Sequence, residues 1–309
     1  MKDDIVLKYS ETFYSAQGEG TYIGIPSLWM RFFLCNLQCD GFGQDDPTNP
    51  ETYDLPYEKL DLTDITDVMD LPVFEKGCDS SYTWSKRYRH LITDRTVTEA
   101  VDELEALLPH GRFQHPVTKQ WVDMVFTGGE PMLKNTQPGM IAILEEFKRR
   151  GNPVKRVTIE TNGTKPAGPE LEEFLDMFYV AEEFGGYAPD EIGRPEWFWS
   201  VSPKLWSTAG EKHSKAIKPE VVGQYAQLSD HGQLKYVVNG SEASWREVEE
   251  NTKLFRDAGC NWPVWIMGVG GTVEGLWLTE ADIADEAINR GYNYSTRAHC
   301  HIYGNAIGK

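Results

Sequence analysis

Short apolar runs, separated by glycine-bearing polar loops, alternate with segments of helical period along most of the chain. A first strand is predicted over 4–12, leading into the turn Ser15-Ala-Gln-Gly-Glu-Gly-Thr21. A second, over 27–34, carries Arg31 as the lone cation in an apolar run. Thr96-Val-Thr98 caps a helix over 99–108, where Val101, Leu104, Leu107 and Leu108 fall at helical spacing. Residues 111–120 read as a short hairpin insert, and 122–126 as a buried strand ending in Thr127-Gly-Gly-Glu-Pro131. A helix over 138–150 stops at Gly151, and a strand over 154–159 ends in Glu160-Thr-Asn-Gly163. The pattern continues with a helix at 169–178, a strand and loop at 197–204, a strand at 232–238 and a helix at 241–258. The apolar run 264–272, a helix at 279–290 and a strand at 294–303 complete it. Five or six βα units, with no repeat and no linker, predict one α/β domain over 1–309 built on a parallel sheet. Sites are then expected at the C-terminal ends of the strands.

Two stretches interrupt the alternation. Residues 40–77 are acidic, proline-rich and almost without amphipathic period, which predicts a partly ordered surface excursion over the site. Residues 182–196, rich in glycine, proline and acids, predict a smaller surface insertion.

Composition narrows the function classes. The 309 residues are 40% hydrophobic and 25% charged, ordinary for a soluble globular protein. A formal net charge of −18 argues against a general nucleic-acid binder but leaves room for a local basic pocket. The N-terminus has no apolar core of signal-peptide length, and no apolar run approaches the roughly 20 residues that span a bilayer. A cytoplasmic protein with no membrane or nucleic-acid partner is expected.

Five cysteines, at 35, 39, 78, 260 and 300, are an odd number for a disulfide framework and point to metal or catalytic use of a subset. Cys260, just beyond a helix, and Cys300, in the predicted terminal strand, read as small buried hydrophobes. Cys35 and Cys39 follow the second strand, and 38 residues separate Cys39 from Cys78. Three thiolates suit an iron–sulfur cluster with one open iron, whereas His299 or His301 as a fourth ligand would make a zinc site. Both stand by count. Arg31 is either a bidentate partner for a ligand carboxylate or half of an internal ion pair. The basic run Lys86–His90 reads as solvent-facing rather than substrate-facing.

The motifs around these residues carry a resemblance. Cys35-Asn-Leu-Gln-Cys39 with Cys78-Asp79 resembles the radical S-adenosylmethionine signature, its usual Cys-x2-Cys step stretched to Cys-x38-Cys. Thr127-Gly-Gly-Glu-Pro131 is similar to the second motif of that superfamily, which contacts the methionyl amine. Together with Ser15–Gly20, Arg31, Cys78-Asp-Ser-Ser-Tyr-Thr-Trp84, Glu160-Thr-Asn-Gly163 and Ser202-Pro-Lys204, the chain resembles the 7-carboxy-7-deazaguanine synthase family. The resemblance runs from about residue 11 to the end, broken at 40–77, 110–120 and 182–196.

The resemblance implies a partial TIM-like βα barrel of the radical S-adenosylmethionine type, with inserted loops. It implies a carbon–nitrogen lyase that converts 6-carboxy-5,6,7,8-tetrahydropterin to 7-carboxy-7-deazaguanine and ammonia, within queuosine-type deazaguanine biosynthesis. Cys35, Cys39 and Cys78 would hold a [4Fe-4S] cluster, with Cys260 or Cys300 as rivals for the third place. Gly77, Cys78, Asp79, Gly129, Glu160, Asn162, Ser202, Pro203 and Lys204 would meet S-adenosylmethionine. Ala16, Gln17, Gly18, Arg31 and Thr127 would hold the pterin. Ser80 stands where the family commonly has threonine, as a hydroxyl ligand to Mg²⁺. A homodimer and a flavodoxin- or ferredoxin-like electron donor are implied as partners. A glycyl-radical activase shares the Cys-x3-Cys step, but the Gln-Gly-Glu-Gly turn and the Cys78–Trp84 segment disfavour it. A non-enzymatic zinc-stabilised binding protein is the competing class.

Overall fold

The structure, a computed structural model, describes residues 5–183 and 195–309. Among the described residues nine strands form one mixed sheet: β1 Val6–Ala16, β2 Pro26–Phe32, β3 Thr93–Thr96, β4 Asp123–Gly128, β5 Arg156–Thr161, β6 Glu196–Val201, β7 Gly232–Val238, β8 Val264–Gly268 and β9 Asn293–Tyr294. Their order is β3-β1-β2-β4-β5-β6-β7-β8-β9, so the edge strands β3 and β9 do not meet and the barrel is open. From β2 through β9 every neighbouring pair is parallel, whereas β1 lies antiparallel to both β2 and β3. The predicted α/β partial barrel is the fold observed, with an antiparallel start.

Residues near the middle of the sheet are buried on both faces, as parallel strands covered by helices require. Met124, Val125 and Phe126 of β4 and Trp197, Phe198 and Trp199 of β6 are all buried. Helices α1 Val97–Leu107, α2 Gln137–Arg149, α3 Pro169–Glu183, α4 Pro219–Leu228, α5 Glu242–Asp257 and α6 Glu280–Asn289 supply the covering layer. Thr96 starts α1 through a capping box: its hydroxyl accepts from Glu99 N, and the Glu99 carboxylate accepts from Thr96 N at 2.9 Å. No described helix is long and apolar enough to cross a membrane.

Three differences from the expected elements bear on the site. The first strand runs on to Ala16, carrying the glycine turn to the sheet's end. Helical turns at Trp206–Ala209 and His213–Ala216, together with α4, fill a stretch in which no element is predicted; the first two are single turns, too short to show a period. The predicted terminal strand 294–303 is mostly helix: β9 has two residues, and α7, Ala298–Tyr303, follows. Ser295 N still bonds Ile266 O, but Ala298 N bonds Gly18 O at 2.9 Å, which draws the chain off the sheet edge and across to the first turn. Gly304, at φ +63°, closes this helix in the left-handed conformation.

Residues 40–77 are more built than their composition indicates. Gly77 N donates to Phe42 O at 2.7 Å, so the two ends of the segment meet. Between them Tyr57, Val68, Leu71 and Phe74 form a second small core with Tyr82, Tyr88 and Leu91. Irregularly spaced aromatics make this core, which is why no amphipathic period announces it. The basic run Lys86–His90 is exposed except for Tyr88. Arg87 and His90 bond the carbonyls of Leu60 and Ile65 and hold the segment down from outside. Of the predicted insertion at 182–196, residues 184–194 lie outside the described residues, and Glu196 opens β6.

Candidate active site

A cavity of about 300 Å³ opens where the sheet's parallel strands end. Every residue expected in cluster, cofactor or substrate contact lines it, except Pro203. The cysteine loop enters from β2 through Leu34, whose φ of +81° turns the chain sharply. Leu34 N bonds Thr83 O at 2.7 Å and Leu34 O accepts from Glu130 N at 2.8 Å. The first cysteines are thereby tied both to the segment after Cys78 and to the Thr127–Pro131 loop. Gly129 permits this contact, because a Cβ there would lie 2.1 Å from Leu34 O and 2.9 Å from Cys35 Cβ. Gly129→Ala should therefore displace the cysteine loop, costing about 1–3 kcal/mol of stability. It should also lower the iron bound after anaerobic reconstitution. Wild-type iron content at wild-type melting temperature would count against the close approach.

Two carboxylates outside the expected set fasten these loops. Glu130 is fully buried and accepts from Thr161 Oγ1, Asn162 N and Met132 N, which locks the Glu160–Gly163 loop in place. Burial raises its carboxyl above the usual range despite these donors. Glu211 Oε1 accepts from Gln38 N at 2.6 Å and from Cys39 N at 3.0 Å, shaping the turn in which Cys39 has φ +58°.

Cys35, Cys39 and Cys78 pack in one small group with Leu37, Phe42, Ala209 and Ala216. Burial pushes the Cys35 thiol up to about 12 and the Cys78 thiol to about 11, and raises Cys39 strongly. Lys204 acts the other way on all three. Three thiols in an apolar pocket beside one cation suit a metal–sulfur group that takes them as thiolates. Among the described residues no three His, Cys, Asp or Glu side chains come close enough to hold a single metal ion. His301 does not line the cavity that holds the three cysteines and pairs with Glu280 at 3.0 Å. Cys260 is buried in the main core and Cys300 is buried on α7, as small hydrophobes.

The cavity's other wall is a chain of charges. Arg31 Nε pairs with buried Glu11 at 2.6 Å, and its Nη1 reaches Ser80 Oγ at 3.3 Å. Tyr82 OH also donates to Glu11, and Arg31 lies over the Phe13 ring. Arg31 is therefore an internal ion-pair partner, and its Nη2 still has no hydrogen-bond partner among the described residues. Ser80 Oγ donates to Asp79 Oδ1, while Asp79 Oδ2 accepts from Arg297 at 2.8 Å. Arg297 continues to Glu19 at 3.1 Å. Lys235 then bridges Glu19 and Glu160 at 2.7 and 2.9 Å, and Gln17 donates to Glu160. Burial by itself would raise Glu19 and lower Lys235, but Lys235 and then Arg297 hold the carboxyl well below its usual range, and Glu160 and then Glu19 hold the ammonium well above. His299 packs over Gly18, where a Cβ would fall 2.2 Å from its Nδ1. Burial and then Arg297 press the imidazole down to about 4, so it is neutral at pH 7.

Of these residues, Lys235 had a signal in the sequence, a lone cation in an apolar strand like Arg31. Glu19 had one too, the acid between two glycines. Arg297 and His299 had none beyond the zinc reading of His299, because α7 was expected as a strand. Glu11 and Glu211 had none.

No family model matches the chain. Curated proteins similar to it include 7-carboxy-7-deazaguanine synthases from Rhodopirellula baltica, Halobacterium salinarum and Pyrobaculum aerophilum. They are 24%, 24% and 25% identical over 98% of this chain, and over 88%, 93% and 97% of their own lengths. Among solved structures, that of QueE from Escherichia coli matches with a TM-score of 0.51 over 96% of both chains, at 16% identity, a likeness of fold. Over nearly its whole length the chain is thus similar to the 7-carboxy-7-deazaguanine synthases, the resemblance its cysteine and glycine motifs carry.

Proposed function

We propose that this protein is a radical S-adenosylmethionine lyase that converts 6-carboxy-5,6,7,8-tetrahydropterin to 7-carboxy-7-deazaguanine and ammonia. The observation that carries the reading is near-full-length similarity to proteins of that name, in a chain whose three loop cysteines share one cavity with the glycine and polar motifs. Cys35, Cys39 and Cys78 hold the [4Fe-4S] cluster. When bound with S-adenosylmethionine, the cluster supplies the one-electron chemistry that removes a hydrogen atom from the substrate. Gly77, Asp79, Gly129, Glu160, Asn162, Ser202 and Lys204 surround the cofactor, with Pro203 behind the cavity wall between the last two. Ala16–Gly18, Arg31 and Thr127 position the pterin, and the small core of the 40–77 segment helps to exclude water.

Mg²⁺ binds at Ser80, and the adjoining Asp79 carboxylate supports the assignment. A small cation of this kind keeps several waters and needs few protein ligands. Arg31 offers its free Nη2 edge to the substrate carboxylate. Arg31→Ala should weaken pterin binding ~10–100-fold, the loss of a charge-assisted contact. Adenosylmethionine binding, measured by equilibrium dialysis on the same protein, should change far less, and equal losses for both ligands would refute the role. The protein works in the cytoplasm as a homodimer, reduced by a flavodoxin- or ferredoxin-like donor.

The deciding assay incubates anaerobically reconstituted protein with carboxytetrahydropterin, adenosylmethionine, Mg²⁺ and a reductant. Carboxydeazaguanine formation is expected. A protein that binds about four irons per chain but leaves the pterin unchanged, or that binds only zinc, would overturn the assignment.

A further inference from the structure

One helical turn covers a side of the three cysteines. Ala209 and Ala216, both buried, pack in the cysteine group beside Leu37 and Phe42. Side chains this small let the turn His213–Ala216 lie close, and a helix with its side chains is only ~10–12 Å across. Its far side is open to solvent, where Lys212, His213, Ser214 and Lys215 are exposed. Glu211 joins that surface to the cysteine loop. One of its carboxylate oxygens accepts from Gln38 N and Cys39 N, and the other pairs with Lys215 at 3.1 Å. A cation at the surface is thus one carboxylate away from the amide of Cys39.

The charge of this turn runs against that of the chain. The formal net charge is −18, yet residues 212–218 hold three lysines, at 212, 215 and 218, and no acid. Lys212 and Lys215, three residues apart on one turn, are surface neighbours. Glu211, just before them, is buried. The acidic 40–77 segment borders the turn on one side: Gly41 N bonds Ala209 O at 3.1 Å, and Asp45 and Asp46 are exposed beyond it. Lysines grouped over the cysteines of an acidic protein attract an acidic partner, and the acidic flank restricts the direction from which it approaches. We infer that the turn 212–218 is the docking face for an acidic one-electron carrier protein, which reduces the cluster by one electron and is itself oxidised by one. A small contact is enough, since weak redox encounters bury less than about 1,200 Å². The inference rests on the cluster assignment above and gives its reductant a place on the fold.

Flavodoxin, an acidic carrier, serves as the probe. Lys212→Glu/Lys218→Glu reverses two charges and leaves the pair of Lys215 with Glu211 intact. Its Kd for labelled flavodoxin, read by fluorescence anisotropy on iron-free and on reconstituted protein, should weaken about tenfold at low ionic strength. The difference from wild type should shrink as added salt screens the charges. Carboxydeazaguanine formation driven by reduced flavodoxin should need correspondingly more flavodoxin, while turnover driven by dithionite keeps its wild-type rate. Lys86→Glu/Arg89→Glu makes the same charge change on the other exposed basic run and should alter neither readout. An unchanged Kd in the first variant, or an equal loss in the second, would overturn the docking face. So would a wild type that turns over with dithionite and does not bind flavodoxin. Should the first variant fold poorly, carbodiimide cross-linking of wild-type protein to flavodoxin decides. Linkage through Lys212 or Lys218 is expected, and linkage confined to lysines outside 212–218 refutes the face. A wild type inert even with dithionite would instead defeat the functional assignment.

Discussion

Cys78→Ala protein, reconstituted anaerobically, should fail to hold a full four-iron cluster and should lose carboxydeazaguanine formation by ~10⁴-fold or more, over 5 kcal/mol of barrier. The loss should be local. The loop around Cys78 is held by backbone bonds that ignore the thiol: Gly77 N to Phe42 O at 2.7 Å, Ser81 N to Cys78 O at 3.1 Å and Leu34 N to Thr83 O at 2.7 Å. Thermal unfolding of the iron-free variant should therefore match that of the iron-free wild type. Neither remaining cysteine is placed to substitute, since Cys260 lies in the main core and Cys300 is buried on α7. Four irons and a wild-type spectrum in the variant would show that Cys78 is not the third ligand.

The largest stability effect is expected at Lys235. Its ammonium, 4% exposed, sits between the carboxylates of Glu19 and Glu160, which are 16% and 13% exposed. Lys235→Met would leave the nearly buried Glu160 without a cation and Glu19 with Arg297 alone, and removing one partner of a buried pair costs about 3–5 kcal/mol. The pH dependence distinguishes this from a packing defect. The folded-state pKa of Glu19 is depressed, so its contribution is present above the unfolded value of about 4.3 and disappears as pH falls. Lys235 is raised, so its contribution is present below about 10.4 and is lost as pH rises through the folded value. The gap between wild type and variant should be widest between those limits and should close on the acid side as the carboxylates protonate. Urea melts at pH 4 and pH 7 measure it, and a gap independent of pH would refute the electrostatic account. Adding Glu19→Gln to Lys235→Met should restore part of the loss.

Local features of this fold were legible in the sequence because they depend on near neighbours. The β7 strand over 232–238, α2 after the Thr127–Pro131 loop and the Thr96 cap each follow from the period of apolar residues or from one side chain meeting a nearby amide. The parallel sheet followed from the alternation itself. The motif residues were legible too, since glycines and cysteines in short loops keep their spacing wherever the chain goes. Composition misled at 40–77, where scattered aromatics build a core without a period, and at 294–303, where the bond from Ala298 N to Gly18 O draws the chain off the sheet edge.

What the tertiary structure alone decided is pairing at long range. Arg297 meets Asp79 across 218 residues, Lys235 joins Glu160 and Glu19 from separate strands and turns, and Glu211 holds the amide of Cys39 from 172 residues away. None of these contacts leaves a local spacing to read, because each is set by which strand ends the sheet brings side by side. The sequence by itself determined which chemistry the chain carries, in short-range motifs. The fold determined which charges surround it, because burial turns distant residues into obligatory partners.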